Sequence, residues 1–472
     1  MNAVTASQRG KTLKIWTPED KAFWEQQGEA IAKLNLWVSV PALFLAFAVW
    51  QVWSVVAVSL PSLGFNYTTN QLFWLAAAPA LSGATLRIFY SFMVPLIGGR
   101  RWTAISTASL LIPAIGIGIA VQDPSTPYPT MLALALLCGL GGGNFSSSMS
   151  NISTFFPKDR KGSALGVNAG LGNLGVSVVQ FLSPIVVTVG LLGIFGGEPQ
   201  TIIKGGQQMQ VWMQNAAFIW VPWIALTAVV AWFTMNDVAD AKASVAAQAA
   251  IFVQPHNWLM CLLYLGTFGS FIGFAAGFPL LIKSQFPQVN PLAYAWLGPL
   301  VGAVVRPFGG WLSDKVGGGV VTLWNFLVMA LAVVGVLYFL PKGAGAMALP
   351  FGPQAGNFTG FFLMFLVLFV TTGIGNGSTF RMIPVIFNQL ALRDTKDTAA
   401  ALKEGNVRGA AAVGFAGAFG AYGGFFIPKS YGSSIAATGG PEAALWVFAA
   451  FYIVCAVITW AFYARRNAPM PC

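Results

Sequence analysis

Residues 71–98 read QLFWLAAAPALSGATLRIFYSFMVPLIG, an apolar stretch with a single charged residue, Arg87. The stretch is long enough for a membrane-spanning helix, which needs roughly 20 apolar residues. Arg87 lies eleven residues before Gly98, about 16 Å along a helix, so its head group cannot easily reach that water surface. We therefore expect a buried arginine, although an arginine at the bilayer centre costs roughly 2.5–3.5 kcal/mol.

The same arrangement recurs in the second half of the chain. Arg306 lies in the apolar stretch 291–312 and precedes the pair Gly317-Gly318 by eleven residues, 219 positions after Arg87. At this offset RIFYSFMVPLIGGRR (87–101) overlies RPFGGWLSDKVGGGV (306–320), and both contain a glycine turn. The chain therefore contains a weak internal repeat.

The composition is that of a polytopic membrane protein, because 56% of the residues are hydrophobic and only 8% are charged. Apolar stretches of spanning length predict an all-α protein with twelve transmembrane helices. The predicted spans are 34–60, 70–98, 102–121, 129–155, 162–192, 211–235, 257–282, 291–312, 320–340, 358–390, 407–427 and 441–463.

Lysine and arginine collect at the N-terminus, in alternate loops and at the C-terminus, whereas the opposite loops carry few of them. By the positive-inside rule this distribution places both termini in the cytoplasm. It also accounts for the net charge of +11 without a nucleic-acid partner, so the expected partner is the lipid bilayer.

The repeat divides the chain into two halves. We predict a cytoplasmic N-terminal segment (1–33), a six-helix bundle (34–236), a cytoplasmic linker (237–256), a second six-helix bundle (257–464) and a cytoplasmic tail (465–472). The N-terminal segment has no continuous apolar core, so we interpret it as an amphipathic lead-in and not as a signal peptide. Parallel six-span repeats predict the major facilitator superfamily fold, with two pseudo-symmetric six-helix bundles.

No motif for catalysis, a metal or a cofactor is recognisable. The four cysteines show no paired spacing, so neither a disulfide nor a metal site is expected. Gly170, Gly172 and Gly175 have the spacing of a dinucleotide fingerprint, but they lie in an apolar helix without a βαβ unit. The lone His256 is either a structural residue or a proton relay. We expect neither an enzyme nor a bound cofactor.

Glycine-rich runs occur in four of the predicted spans. They read GLGGGNFSSS (139–148), GVNAGLGNLG (166–175), GIGNGSTF (373–380) and GFAGAFGAYGGFF (414–426). Small residues let membrane helices approach closely, so close packing is the simplest interpretation of most of them. Gly170 and Gly172, together with Gly420 in the eleventh span, remain candidates for the transport pathway or its gating.

All fourteen carboxylates fall in predicted tails, loops or span ends, so none is expected at mid-membrane beside Arg87 or Arg306. A guanidinium cannot lose its charge by deprotonation, whereas a bound anion would offset its burial. Its planar fork suits a flat oxyanion. The alternative is that both arginines cap backbone carbonyls or bridge helices.

Neighbouring spans offer further candidates for substrate binding. Asn168 and Asn173 in the fifth span and Tyr264 in the seventh supply neutral hydrogen-bond donors. Phe268 stands four residues after Tyr264 and shares its helix face, which suits an apolar wall around an anion. Each asparagine is equally open to a role as an interhelical hydrogen-bond link. Arg381, in the tenth span, is a possible pathway residue, or it reaches Asp397 or Glu404.

The carboxylate inventory also bears on how transport is driven. Proton-coupled carriers usually depend on an acid or a histidine inside the membrane, and none is evident. A pocket with two positive charges resists closing when it is empty, because closure then buries unpaired charge. The pattern favours exchange of one anion for another. An anion sensor without flux is a hypothesis from another class, but no signalling domain is visible.

These residues resemble a known family. GLGGGNFSSSMSNISTFFPKDRKGSALGVNAGLGNLGVSVVQF (139–181) and GFAGAFGAYGGFFIPKSYGSS (414–434) are similar to the two glycine-rich signatures of the NarK-type nitrate/nitrite porters of the major facilitator superfamily. The likeness extends over essentially the whole chain, including TPEDKAFWEQQG (17–28).

The resemblance implies import of nitrate and export of nitrite across a bacterial inner membrane, in support of nitrate respiration, by a carrier that works as a monomer. It also implies that Arg87 and Arg306 clamp the anion, and that Asn173, Tyr264 and Phe268 contribute to its site. The chain departs from the family's pattern at Arg381, where the best-known members carry a neutral residue. This departure leaves exchange and nitrate/proton symport both open.

Overall fold

Twelve long helical segments follow the predicted spans in order. In a computed structural model of the chain, the described residues are 10–191, 196–204, 207–239, 250–342, 347, 349–394 and 397–472. Within them the segments are α1 (Lys21–Leu63), α2 (Thr69–Ile97), α3 (Gly99–Ala120), α4 (Tyr128–Phe155), α5 (Lys158–Val186), α6 (Asn215–Thr234), α7 (Pro255–Gln285), α8 (Leu297–Val316), α9 (Gly318–Phe339), α10 (Phe358–Asp394), α11 (Ala400–Thr438) and α12 (Glu442–Ala464). The short strands are β1 (Thr12–Leu13), β2 (Gln200–Lys204), β3 (Gln207–Val211) and β4 (Asp237–Val238).

The prediction of a helical polytopic membrane protein is confirmed. Eleven of these segments are long and apolar enough to cross a membrane, among the residues that the structure describes. The twelfth, α8, is a regular helix of 20 residues that contains Arg306, Asp314 and Lys315. These three charged residues lower the hydropathy of α8, which carries the second of the two buried arginines.

Helices extend beyond the predicted spans at two places. α1 begins at Lys21, inside the segment predicted as a lead-in, because the Asp20 side chain caps it by accepting hydrogen bonds from the amides of Ala22 and Phe23. The predicted spans end at residue 390 and begin again at 407, whereas α10 runs to Asp394 and helical structure begins again at Thr398. Most of the connection is therefore helical, because charged residues occupy the helix ends.

The chain divides into two compact units. Unit 1 comprises residues Met1–Tyr67 and Ala78–Ala243, and unit 2 comprises Thr68–Ala77 and Ser244–Cys472. Helix α2 is therefore shared, because its first turns pack within unit 2. There, Trp74 contacts Phe425 with ring centroids 5.5 Å apart, and Lys429 Nζ donates to Asn70 Oδ1 at 3.2 Å. Residues 240–249 of the predicted linker lie outside the described residues.

The core of unit 2 contains a ladder of phenylalanines between α7 and α10. The ring of Phe278 lies 4.5 Å from that of Phe365 and 5.8 Å from that of Phe369, measured between centroids. All three side chains are buried. Aromatic pairs at such distances contribute about 0.5–1.5 kcal/mol each beyond the area they bury, so this ladder fixes α7 against α10.

A pair of short strands joins the first and the last described parts of unit 1. Strand β1 pairs in parallel with β4, so that Thr12 lies opposite Asp237. Asn236, just before β4, is bound to Asn35 of α1 by two hydrogen bonds. The backbone N–H of Asn236 donates to Asn35 Oδ1 at 2.8 Å, and Asn35 Nδ2 donates to Asn236 Oδ1 at 3.1 Å. The described part of the N-terminal segment, from residue 10 onward, thus packs as part of unit 1.

The glycine turn after α2 is closed by an acid. Gly98 has a φ of +102°, which favours glycine, and a Cβ there would collide with the Asp237 carboxylate. Asp237 accepts a hydrogen bond from the Arg100 amide at 2.9 Å and pairs with Arg100 Nε at 3.3 Å. The predicted glycine turn is confirmed.

The matching turn of the second half is covered differently. Gly317 has a φ of +94°, and the neighbouring Gly319 amide donates to the Cys472 carbonyl at 2.8 Å. Burial raises the pKa of the Cys472 thiol to about 12, so the thiol stays protonated at neutral pH.

Replacing Asp237 with Ala should destabilise the protein by about 3 kcal/mol. The Arg100 side chain is only 12% exposed. Without the Asp237 carboxylate, its charge would lose its ion-pair partner and would be only slightly hydrated. Asp159→Ala is the control, because Asp159 is 77% exposed and lies 4.0 Å from its partner. Thermal unfolding of the purified protein measures both changes, and equal losses would contradict the role of Asp237.

Candidate functional site: two buried arginines

Arg87 is fully buried within unit 1, as the sequence predicts. Its Nε donates a hydrogen bond to the Gly142 carbonyl of α4 at 2.8 Å. The guanidinium carbon lies 4.8 Å from the ring centroid of Phe145 and 5.1 Å from that of Trp50. Each such cation–π contact is worth about 0.5–2 kcal/mol, more when desolvated. Helices α1 and α4 therefore fix the plane of this guanidinium.

The glycine run of α4 is what allows this packing. A Cβ at Gly142 would lie 2.6 Å from Trp50 Cε2, and one at Gly143 would lie 2.8 Å from Tyr90 Cδ2. A Cβ at Gly141 would collide with the Ala46 carbonyl of α1. Close packing is therefore the role that the structure gives these glycines.

Arg306 is the counterpart of Arg87 in unit 2. It lies in α8, is 8% exposed, and its guanidinium carbon lies 5.3 Å from the ring centroid of Phe380 in α10. Among the described residues, Nη1 of Arg306 has no hydrogen-bond partner and no carboxylate lies within 4.0 Å of the side chain. A buried donor without a partner costs about 1–3 kcal/mol, and more when it is charged.

The glycine run of α10 repeats the role of the run in α4. A Cβ at Gly377 would collide with the backbone carbonyl of Arg306, and one at Gly373 with that of Gly302. Without side chains at these points, α10 packs directly on the backbone of α8. Phe380 is thereby brought to the guanidinium.

Tyr264 and Phe268 stack in unit 2, with ring centroids 5.4 Å apart and planes 25° from parallel. Both are buried, and Phe268 lies in a π-helical turn, Leu265–Gly269. Such turns are frequent at functional sites. Gly420 of α11 packs against this pair, since a Cβ there would lie 2.8 Å from Tyr264 Cδ1. Tyr264 and Phe268 therefore lie on one face of α7, as their spacing predicts.

Both asparagines of α5 are buried in unit 1. Asn168 Nδ2 donates to Ser148 Oγ of α4 at 2.8 Å, which is the interhelical link that the sequence left open. Asn173 Oδ1 has no hydrogen-bond partner among the described residues. The assignment of oxygen and nitrogen in an amide follows from its hydrogen bonds, so Asn173 can turn either atom to a ligand.

The glycines of α5 differ from one another. A Cβ at Gly172 would lie 2.7 Å from Leu43, whereas one at Gly170 would meet nothing within 4 Å among the described residues. Gly172 is therefore required for packing against α1, and Gly170 is not.

Two further residues have structural partners. Arg381 Nε pairs with Asp314 of α8 at 2.8 Å, while Glu404 pairs with Arg408. His256 Nδ1 lies 3.0 Å from the Tyr463 hydroxyl. The sequence points to Asp397 or Glu404 and not to Asp314, because it does not show that α8 and α10 are neighbours.

Sequence reasoning missed the aromatic residues that pack on the arginines. These are Trp50 and Phe145 for Arg87, and Phe380 for Arg306. Each glycine-rich run, of α4 and of α10, contains one of the two phenylalanines. An aromatic residue inside a run of small ones is the signal that could have identified them.

Two comparisons concern the fold. The family model described as Major Facilitator Superfamily matches residues 42–352. A solved structure of a bacterial homologue of the human lysosomal transporter Spinster, inward-facing and occupied, aligns with a TM-score of 0.60 over 90% of this chain and 95% of that one. Their sequences are 14% identical, so this likeness shows the fold alone. The fold is that of a major facilitator transporter.

Closer relatives are found by sequence. The nitrate/nitrite transporter NarU of Escherichia coli is 52% identical over 461 residues, 96% of each chain. The probable nitrate/nitrite antiporter NarK2 of Thermus thermophilus is 39% identical over 472 residues, 99% of each chain. This chain therefore belongs to the Major Facilitator Superfamily and, within it, to the NarK-type nitrate/nitrite porters.

Gly141→Ala and Gly170→Ala should have opposite effects on stability. Gly141→Ala forces α4 away from the α1 backbone and should cost about 1–3 kcal/mol. Gly170→Ala meets open space and should be neutral or stabilising by up to about 1 kcal/mol, from helix propensity. Thermal unfolding of both variants measures the difference. A large loss in Gly170→Ala would mean that its surroundings are not open.

Proposed function

We propose that this protein transports nitrate and nitrite, importing nitrate in exchange for nitrite. Two relatives that match nearly the whole chain are named for these anions. The observation that carries the proposal is Arg306, a buried guanidinium with an unpartnered Nη1 and no carboxylate within reach among the described residues. Such a charge is best offset by an anion that binds and leaves.

Nitrate and nitrite suit the chemistry around the arginines. Both anions are small and planar, and a guanidinium offers parallel N–H donors to two oxygens at once. The rings of Phe145 and Phe380 make the surroundings apolar, which favours weakly hydrated anions over strongly hydrated ones. In this proposal, Arg87 and Arg306 clamp the same anion by alternating access. Asn173 adds a polar contact, and Tyr264 and Phe268 form a wall.

Exchange is the coupling mode that the carboxylates favour. Those described lie in loops or towards the ends of the long helices, as Asp314 does two residues before the end of α8. A proton-coupled carrier would need a titratable group along the path. An empty carrier would have to bury the charge of Arg306 without an anion when it reorients, whereas a loaded carrier would not. Return without a bound anion is therefore slow.

The remaining assignments belong to the same proposal. The carrier works as a monomer in a bacterial inner membrane with both termini in the cytoplasm. The positive-inside rule supports this orientation. It places Arg100 and Arg101, at the start of α3, and Arg160, at the start of α5, on the cytoplasmic side.

Proteoliposomes test the proposal directly. Nitrate uptake is measured into vesicles loaded with nitrite or with an inert anion, with and without an imposed pH gradient. We expect uptake that requires internal nitrite and ignores the gradient. Gradient-driven uptake into nitrite-free vesicles would show a nitrate/proton symporter, and nitrate binding without any flux would show a sensor.

Arg306→Lys should weaken nitrate binding by at least about 30-fold, because lysine keeps the charge but loses the planar fork. Arg87→Lys should do the same, with an added loss of stability from its contacts with Trp50 and Phe145. Titration calorimetry on the purified protein measures the affinity. Arg101→Lys is the control, since Arg101 is 53% exposed. Unchanged affinity in Arg306→Lys would exclude this residue from the anion site.

A further inference from the structure

Unit 1 contains a small polar cavity between α1, α3 and α4. Seven of its nine lining residues carry a hydroxyl or an amide, and none is charged. The cavity volume is about 10 Å³, close to the roughly 10–15 Å³ that one water molecule requires. This space is too small for a polyatomic anion such as nitrate.

Two polar atoms at this cavity have no hydrogen-bond partner among the described residues. They are Oγ1 of Thr107, which is fully buried, and Oδ1 of Asn144, which is 5% exposed as a residue. A threonine in a helix usually donates to a carbonyl of the preceding turn, as Thr459 does to the Cys455 carbonyl at 2.7 Å. Thr107 has no such bond. Leaving a buried hydroxyl unpaired is unfavourable.

A short hydrogen-bond chain begins at the same cavity. Ser39 Oγ of α1 and Ser148 Oγ of α4, which both line it, lie 2.8 Å apart. Ser148 Oγ also accepts from Asn168 Nδ2 of α5 at 2.8 Å. Hydroxyls can donate and accept in turn, so this chain can end on a water molecule that does the same.

We propose that the cavity is a water-binding site, in which one ordered water bridges Thr107 of α3 and Asn144 of α4. Buried waters typically make about three hydrogen bonds to polar groups that lack other partners. The size of the cavity and its two unpartnered atoms meet that requirement, whereas its uncharged lining offers no counter-charge to a metal ion or an anion. The water joins α3 to the α1–α4–α5 chain.

The proposed water site and the contacts of Arg87 share one turn of α4. Asn144, which binds the water, is followed in α4 by Phe145, which packs on Arg87, and Gly142 accepts the Arg87 hydrogen bond. One face of this turn of α4 therefore holds Arg87 while another borders the water. The water site does not depend on which anion is transported, and its tests do not measure transport.

Thr107→Val is the first test, because valine keeps the shape and removes the hydroxyl. With a bound water, the variant should lose a hydrogen bond worth about 1 kcal/mol and unfold at a temperature about 1 °C lower. Without one, removing an unpaired hydroxyl should leave the melting temperature unchanged or raise it, which would overturn the proposal. Thr459→Val is the positive control, because it removes a hydrogen bond that the structure shows, so its melting temperature should fall by a similar amount.

Radiolytic hydroxyl-radical labelling of the wild-type protein is the second test. Radicals formed from a bound water label the side chains beside it. Leu43 lines the cavity and is 1% exposed, whereas Leu445 is 0% exposed and does not line it. We expect several-fold more labelling at Leu43, lost in Thr107→Val and kept in Thr107→Ser. Equal, low labelling of both leucines in the wild type would show that the cavity holds no water.

Discussion

A guanidinium inside a membrane-spanning helix cannot become neutral, and the structure around Arg87 and Arg306 follows from that constraint. A lysine or a carboxylate in the same place could shed its charge, whereas arginine has to be compensated by its surroundings. The two units supply part of this compensation through aromatic faces, and in unit 1 also through the Gly142 carbonyl. At Arg306, Nη1 has no hydrogen-bond partner among the described residues and an aromatic face does not cancel a full charge, so an anionic substrate can supply the remainder.

The same local solution occurs in both units. In each, a glycine-rich helix approaches the arginine-bearing helix so closely that a methyl group would not fit, and a phenylalanine of that helix packs on the guanidinium. The glycines and the aromatic residue act together. A larger residue at Gly142 or Gly377 would separate the helices and move Phe145 or Phe380 away from the charge.

The sequence predicted what depends on local composition. The order of the spans, the burial of both arginines, the glycine turns at Gly98 and Gly317, and the shared face of Tyr264 and Phe268 all follow from hydropathy, spacing or helix periodicity. It did not predict contacts between distant segments. The pairing of Asp237 with Arg100, or of Arg381 with Asp314, requires knowing which helices are neighbours. The grouping of Thr68–Ala77 with unit 2 also depends on tertiary packing, because the helix itself continues without a break.

The pairing of β1 with β4 has a consequence for how the protein is made. Thr12 leaves the ribosome 225 residues before its partner, Asp237, which corresponds to roughly 10–45 s of synthesis at 5–20 residues per second. During that interval the segment around β1 has no strand to pair with, and Asn35 has no Asn236. Unit 1 can therefore reach its final structure only after α6 has been inserted. A chain truncated before β4 should remain incompletely folded and be degraded in the membrane.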